Sequence, residues 1–369
     1  MSGSIFGNMF RISTWGESHG KALGVVIDGC PAGIELSEED IQKDLDRRKP
    51  GTSKYTTQRA EGDLVEILSG VFEGKTTGTP ISLVIFNKDQ RSKDYSEISK
   101  IFRPGHADFG FESKYGFRDY RGGGRSSGRE TVARVAAGAI ARRILLFLGI
   151  DVVAYTRSIG NVEVDYKNFD IDERFKNSLV MPDKDAVLKA QTLLDEAIKE
   201  KDSVGGVVQC EISGVKAGIG EPVFDKLDSS LAKAIMSIGA VKGVEFGLGF
   251  EASKVKGSFD NDCFYYDDDN NVKKYTNNSG GILGGMSDGS NIIFRAAFKP
   301  TPSIASPQKT ISNKTGENVE IEIKGRHDPI VVARAVVVVE AMAAITLVDL
   351  IFENMTSKIE YIKKYYENL

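Results

Sequence analysis

The strongest constraint on the fold is residues 330–352, an almost unbroken run of valine, alanine, isoleucine and leucine. Arg334, Glu340 and Asp349 interrupt it, too often for the ~18 uncharged residues a membrane-spanning helix needs. A helix that is apolar on nearly every side is covered by its own protein, so the run predicts a buried helix and no membrane. The chain can supply that cover: its 369 residues are 41% hydrophobic and 27% charged, enough for one large core or two ordinary ones. Disorder and collagen-like repetition are excluded.

Around this helix the chain alternates short β-like runs with amphipathic segments. Residues 22–27, 64–72 and 81–86 are rich in Val, Ile and Leu and end in Gly or Asn, the pattern of strands. Ser37-Glu38-Glu39-Asp40 opens a helix that runs through Ile41 and Leu45 to Pro50. Apolar spacing predicts further helices over 129–148, 186–199 and 222–238. An echo between Ser69-Gly70-Val71 and Ser213-Gly214-Val215 hints at a duplicated half-fold. Asp267-Asp268-Asp269 lacks the alternating ligand ladder of a calcium loop and reads as a solvated hairpin tip.

Charge and cysteine use narrow the function. With 48 Lys and Arg against 52 Asp and Glu, the net charge of -4 gives no field for a polyanion, so no nucleic acid partner is expected. Any anion has to be gripped locally. Cys30, Cys210 and Cys263 are scattered and odd in number, with no C-x-x-C pair. The first residues lack the basic start and apolar run of a signal peptide. A reducing, cytoplasmic setting is expected.

Three histidines stand in loops beside glycine, arginine or aspartate: His19, His106 and His327. Such placement suits acid–base duty, whereas no H-x-x-x-H pair speaks for a metal. Gly122 to Arg129 is a glycine–arginine loop feeding directly into a helix, expected to cradle an anion with backbone N–H groups and guanidinium forks. It is neither a Walker loop nor a dinucleotide fingerprint. Arg118, Arg121, Arg125, Arg129 and Arg134 crowd this region. A second glycine loop, Asn277 to Gly285, and the rigid turn Lys299-Pro300-Thr301-Pro302-Ser303 complete the set for a large anionic ligand.

In this order, Gly16-Glu17-Ser18-His19-Gly20, Arg103-Pro104-Gly105-His106-Ala107-Asp108, Gly124 to Thr131, Asn277 to Gly285, and Gly325-Arg326-His327-Asp328-Pro329 leading to Glu340-Ala341-Met342 resemble the chorismate synthase family over essentially the whole chain. The resemblance implies an α+β fold: one domain over 1–369, with central helices flanked by antiparallel sheets, an internal pseudo-twofold and a homotetrameric assembly. It implies elimination of phosphate from 5-enolpyruvylshikimate 3-phosphate to give chorismate, with reduced FMN as cofactor and no net redox change. His19 then resembles the acid for the departing phosphate, and His106 the group that protonates the flavin. Asp328 would assist at the flavin N5, with Ser18 and Ser127 as relay. FMN binding is implied for Arg125, Ser126, Ser127, Gly239, Ala240, Gly284, Lys299, Pro300, Thr301, Pro302, Ser303 and Arg326. Substrate binding is implied for Arg48, Lys54, Arg129 and Arg134. The chain departs from the family pattern at Gly239, usually asparagine, at Pro302, usually serine, and at Lys49 and Lys54, usually arginine. Its compact length suits members that take reduced FMN from an external flavin reductase rather than from their own NADPH site. The competing readings are an NAD(P)H-dependent flavin reductase and a non-catalytic anion- or RNA-binding protein.

Overall fold

The computed structural model describes residues 3–49, 51, 55, 62–87, 98–322 and 328–369. Two five-stranded antiparallel sheets enclose a layer of helices. The first sheet runs in the order Ile5–Phe6, Arg11–Gly16, Ala22–Asp28, Ile81–Phe86, Val65–Ser69, and the second Val241–Phe246, Ile292–Phe298, Gly206–Ser213, Asp151–Ile159, Val162–Glu163. Thr131–Phe147 packs on the first sheet, Val332–Asn354 packs on the second, and the two helices pack on each other. Alternation fixes which face of each strand turns inward. Val152, Ala154, Val208, Cys210, Phe294 and Ala296 meet the helices, and one apolar core runs through both halves. The 330–352 stretch is therefore the buried helix its sequence predicts, and the α+β sandwich implied by the resemblance is the observed fold.

The two sheets are copies. In each, a strand pair is followed by a helix, then two further strands that insert in the same order, then a long central helix. The hydrogen bonds repeat as well. Thr76 Oγ1 donates to the Pro31 carbonyl and accepts from the Ile34 N–H, at 2.6 and 3.0 Å. Ser287 Oγ does the same with Lys216 and Ile219, at 2.6 and 2.9 Å. Gly29 and Gly214, with φ of +82° and +84°, end equivalent strands where a side chain would overlap the Met9 or Gly149 carbonyl. The duplication hinted at by the sequence echo is real, but that echo is out of register. Ser69 ends the outer strand of the first repeat, whereas Ser213 ends an inner strand of the second and corresponds to Asp28.

Two other expectations are corrected. The strand over 64–72 is two, Val65–Ser69 and Val71–Phe72, because Gly70 turns the chain at φ +82°. The helix over 222–238 begins only at Leu227, since Val223 is left-handed and Lys226 extended.

Two features lock the helix layer. Gly138 faces Ala341 at the crossing, where an added Cβ would overlap the Ala341 Cβ and lie 2.5 Å from its Cα. Beside it, Glu340 is buried and holds partners from both halves: Arg47 at 2.7 Å, Arg142 at 3.5 Å, Arg174 at 3.4 Å and the Ala154 N–H at 2.9 Å. Burial disfavours its charge, but the surrounding cations, Arg47 foremost, outweigh this and hold the carboxyl below the usual range.

Gly138→Ala tests the crossing. Alanine gains about 1 kcal/mol in helix propensity, but overpacking a closed contact costs about 1–3 kcal/mol. A lower urea midpoint with unchanged slope is expected, and an unchanged or higher midpoint would refute the constraint.

Candidate active site

The site forms at one end of the sandwich, where the turn after Gly16, the loop at Asn87, the 103–108 loop, the arginine loop and the 299–303 turn meet. The turn between Arg11–Gly16 and Ala22–Asp28 carries Ser18 and His19, whose Oγ and Nδ1 lie 3.0 Å apart. Both lean on Gly122, where any Cβ would overlap the His19 ring. The first glycine of the arginine loop thus makes room for the histidine of a distant motif.

The arginine loop folds into two short 3₁₀ turns, Gly124–Ser126 and Gly128–Glu130, before the helix at Thr131. Its Ser126, Ser127 and Glu130 N–H groups bond to Gly123, Gly124 and Ser127 carbonyls, and the Arg129 N–H to Ser127 Oγ. Of the amides expected to form a cradle, those of Ser126, Ser127 and Arg129 are consumed within the loop. The guanidinium groups are also engaged. Arg125 donates to the Thr14 and Gly16 carbonyls and to Thr14 Oγ1, which staples the loop to the first sheet. Arg134 holds Glu130 at 2.9 Å and Ser237 Oγ at 2.6 Å. Arg121 pairs with Asp119, and Arg118 with Asp108 and Glu112.

Arg48 and Arg129 converge on Asp63, a buried carboxylate with φ +45°. Burial opposes ionisation of Asp63, but Arg48 and then Arg129 overcome it and set its carboxyl below the usual range. Burial pulls Arg48 down to about 10, so both partners stay ionised near neutrality. Arg48 Nε has no hydrogen-bond partner among the described residues. Arg334 donates to the Arg48 carbonyl at 3.0 Å and to Asp328 Oδ2 at 2.9 Å. Asp328 is held from the other side through its carbonyl by Thr301 Oγ1 at 2.6 Å.

The 299–303 turn meets the histidine loop. His106 Nδ1 lies 2.9 Å from the Pro104 carbonyl, which only accepts, so the ring proton sits there; Nε2 then accepts from Ser303 Oγ at 3.0 Å. Gly105, at φ +68°, lies against Pro302, and Lys299 Nζ donates to its carbonyl at 2.9 Å. Desolvation lowers the His106 pKa, with Arg103 and Lys299 adding to the fall and Pro104 and Asp108 opposing it. The Lys299 N–H bonds the carbonyl of Ala240, which has φ +72°, and Gly239 faces open space.

The fold thus gathers Ser18, His19, Arg48, His106, the Arg125–Ser127 loop, Arg129, Arg134, Gly239, Ala240, Lys299 to Ser303 and Asp328 at one end. Gly284 is not among them. It lies at the tip of the Ile282–Leu283 and Met286–Ser287 hairpin, against the start of the Leu227–Met236 helix, whose far end leads to Gly239. Ten helical residues span about 15 Å. Lys54 and Arg326 lie outside the described residues. Lys49 pairs with Asp46 on the exposed face of its helix. Sequence reading missed Asp63, Asn87 and Arg334. Five arginines crowded into one region of an acidic chain call for counter-ions, but that signal names no residue.

Comparison with known proteins agrees with this geometry. The sequence profile of the chorismate synthase family matches residues 10–352. Curated relatives bearing that name include a protein of Lachnospira eligens, 63% identical over 99% of this chain and 100% of its own, and one of Methanococcoides burtonii, 54% identical over 95% and 96%. A crystal structure of chorismate synthase superposes with a TM-score of 0.77 at 33% identity, covering 98% of each chain.

A proton NMR titration checks the electrostatics. His106 is expected to titrate below its ordinary value of 6.5, and Lys299→Met to raise its midpoint. The unfolded chain then protonates this histidine at higher pH than the folded one, so its contribution to stability falls as pH drops below 6.5 towards the lowered value. A midpoint at or above 6.5 would remove the effect.

Proposed function

The chain belongs to the chorismate synthase family, lyases of the shikimate pathway that eliminate phosphate from 5-enolpyruvylshikimate 3-phosphate, and we propose that the site just described performs this reaction with reduced FMN bound beside it. The observation that carries the reading is one polar network. It runs from the His19 turn through Asn87, Arg129, Asp63, Arg48 and Arg334 to Asp328. It joins a proton donor, cations and a carboxylate, the groups that loss of phosphate and of a ring proton requires.

The residues beside this network suit a flavin mononucleotide. Lys299 and Ser303 offer an ammonium and a hydroxyl, His106 offers a half-buried ring, and Gly239 leaves space that a side chain would fill. Arg125, Ser126, Ser127, Ala240, Pro300, Thr301, Pro302 and Arg326 complete the proposed binding set. Gly284, set apart from this end in the same chain, would join the set from a neighbouring copy in the proposed homotetramer. When bound, the reduced flavin supplies electron density towards the breaking C–O bond.

The protein's own groups do the rest. Ser18 Oγ, 3.0 Å from His19 Nδ1, orients the ring; the imidazolium form transfers its Nε2 proton to the departing phosphate and is left as the neutral ring, with its remaining proton on Nδ1 towards Ser18. Arg129, Arg134, Arg48 and Lys54 neutralise substrate charge, and the unpartnered Arg48 Nε is a donor ready for an anion. Proton transfer at His106 runs through the Ser303 hydroxyl bonded to Nε2. Asp328, oriented by Arg334 and Thr301, assists the proton transfer, with Ser127 proposed as part of the relay. The enzyme works as one domain in the cytoplasm, with an external reductase supplying reduced FMN.

The test is an anaerobic assay with 5-enolpyruvylshikimate 3-phosphate and FMN, following chorismate absorbance and phosphate release. Product only with dithionite-reduced FMN supports the proposal, product with NADPH alone reveals a built-in reductase, and none under either condition refutes it. His106→Ala and Asp328→Asn are expected to bind FMN within a few fold of wild type while kcat falls roughly 10²- to 10⁴-fold. Unchanged rates would remove either residue from the mechanism.

A further inference from the structure

We propose that Asn87 is a positioning residue that holds the His19 turn and the Arg129 guanidinium at a fixed spacing. Asn87 is the first residue after the Ile81–Phe86 strand, and its backbone N–H bonds the Lys21 carbonyl at 3.0 Å. Its Nδ2 donates to the Glu17 carbonyl at 3.2 Å and the Gly20 carbonyl at 2.8 Å, the residues that bracket Ser18 and His19. Its Oδ1 accepts from Arg129 Nε at 3.0 Å. Only one orientation of the amide satisfies all three contacts, because two carbonyls demand the NH₂ and a guanidinium demands the oxygen.

The consequence is geometric. Arg129 is anchored at its other end by Asp63, and Asp63 also holds Arg48. Asn87 is thus the joint through which the turn bearing the proton donor is indexed to the cations. Errors of about 1 Å in such spacing cost roughly a hundredfold in rate. An aspartate there would present an anion to two carbonyl oxygens, and a leucine would release all three partners.

The inference rests on the proposed roles of His19 and Arg129, and the experiment separates the two. Steady-state kinetics with reduced FMN and equilibrium binding of 5-enolpyruvylshikimate 3-phosphate are compared for wild type, Asn87→Leu, Arg129→Ala and the double variant. Asn87→Leu is expected to lose roughly ten- to a hundredfold in kcat/KM, with weaker substrate binding and FMN affinity within twofold. If Asn87 acts on substrate binding through Arg129, the double variant binds substrate no worse than about threefold below Arg129→Ala, because the binding losses share one cause. Asn87→Asp, which keeps the acceptor for Arg129 but not the donors, is expected to recover substrate binding and not kcat. Substrate-binding losses that multiply, or wild-type kinetics in Asn87→Leu, overturn the positioning role while leaving the function intact. An active wild type with an unaffected Arg129→Ala overturns the Arg129 role, and with it this inference. A wild type without turnover overturns the function itself.

Discussion

Glu340 is the interaction on which the rest of the molecule depends. A buried carboxylate survives only when its oxygens are filled, and here the partners come from separate parts of the chain. Arg47 ends the first amphipathic helix, Arg142 sits on one central helix, and Arg174 and the Ala154 N–H belong to the second half. Without Glu340, Arg174 would lose its paired carboxylate near the core, and Arg47 and Arg142 would have to share Asp44. The carboxylate therefore joins the two halves in one register, and the Gly138–Ala341 contact beside it sets how near the helices lie.

That register decides where the loops go. With the sheets related by the repeat, the turn at His19 and the loop at Asn87 emerge at the end of the first sheet that matches the Ala240 and Lys299 end of the second. The 103–108 and arginine loops, which connect sheet to central helix, close over that end. Histidines, arginines and a carboxylate from motifs far apart in sequence meet because both halves point the same way.

Much of this was legible in the chain. Residues 330–352 could only be a buried helix, and the Ser37-to-Asp40 cap and its helix form as read, with Ser37 and Asp40 bonding reciprocally. The histidine loops and the arginine loop stood out by composition. What stayed hidden was pairing. Nothing in the spacing of Arg48, Asp63 and Arg129 announces that one carboxylate takes both cations, since the contact is made by the fold and not by local periodicity. The amides of the arginine loop all looked available because a glycine run resembles an open cradle; the tight turns spend those of Ser126, Ser127 and Arg129 internally. The repeat was sensed but misregistered, since Ser-Gly-Val recurs at the ends of strands that occupy different places in the two sheets.

The duplicated order of strands and helices has a historical reading. A half-length ancestor with this order would have exposed its apolar helix and needed a second copy to cover it, which makes such a chain an obligate pair. In a symmetric pair every loop occurs twice and neither copy of a loop can change alone. A single chain that carries both halves is free of that restriction. One repeat then carries Asn87 where the other carries Lys299, the first residue beyond equivalent strands. One holds the Arg129 guanidinium and the other gives its ammonium to the Gly105 carbonyl, so equivalent positions of the two repeats are free to serve different contacts.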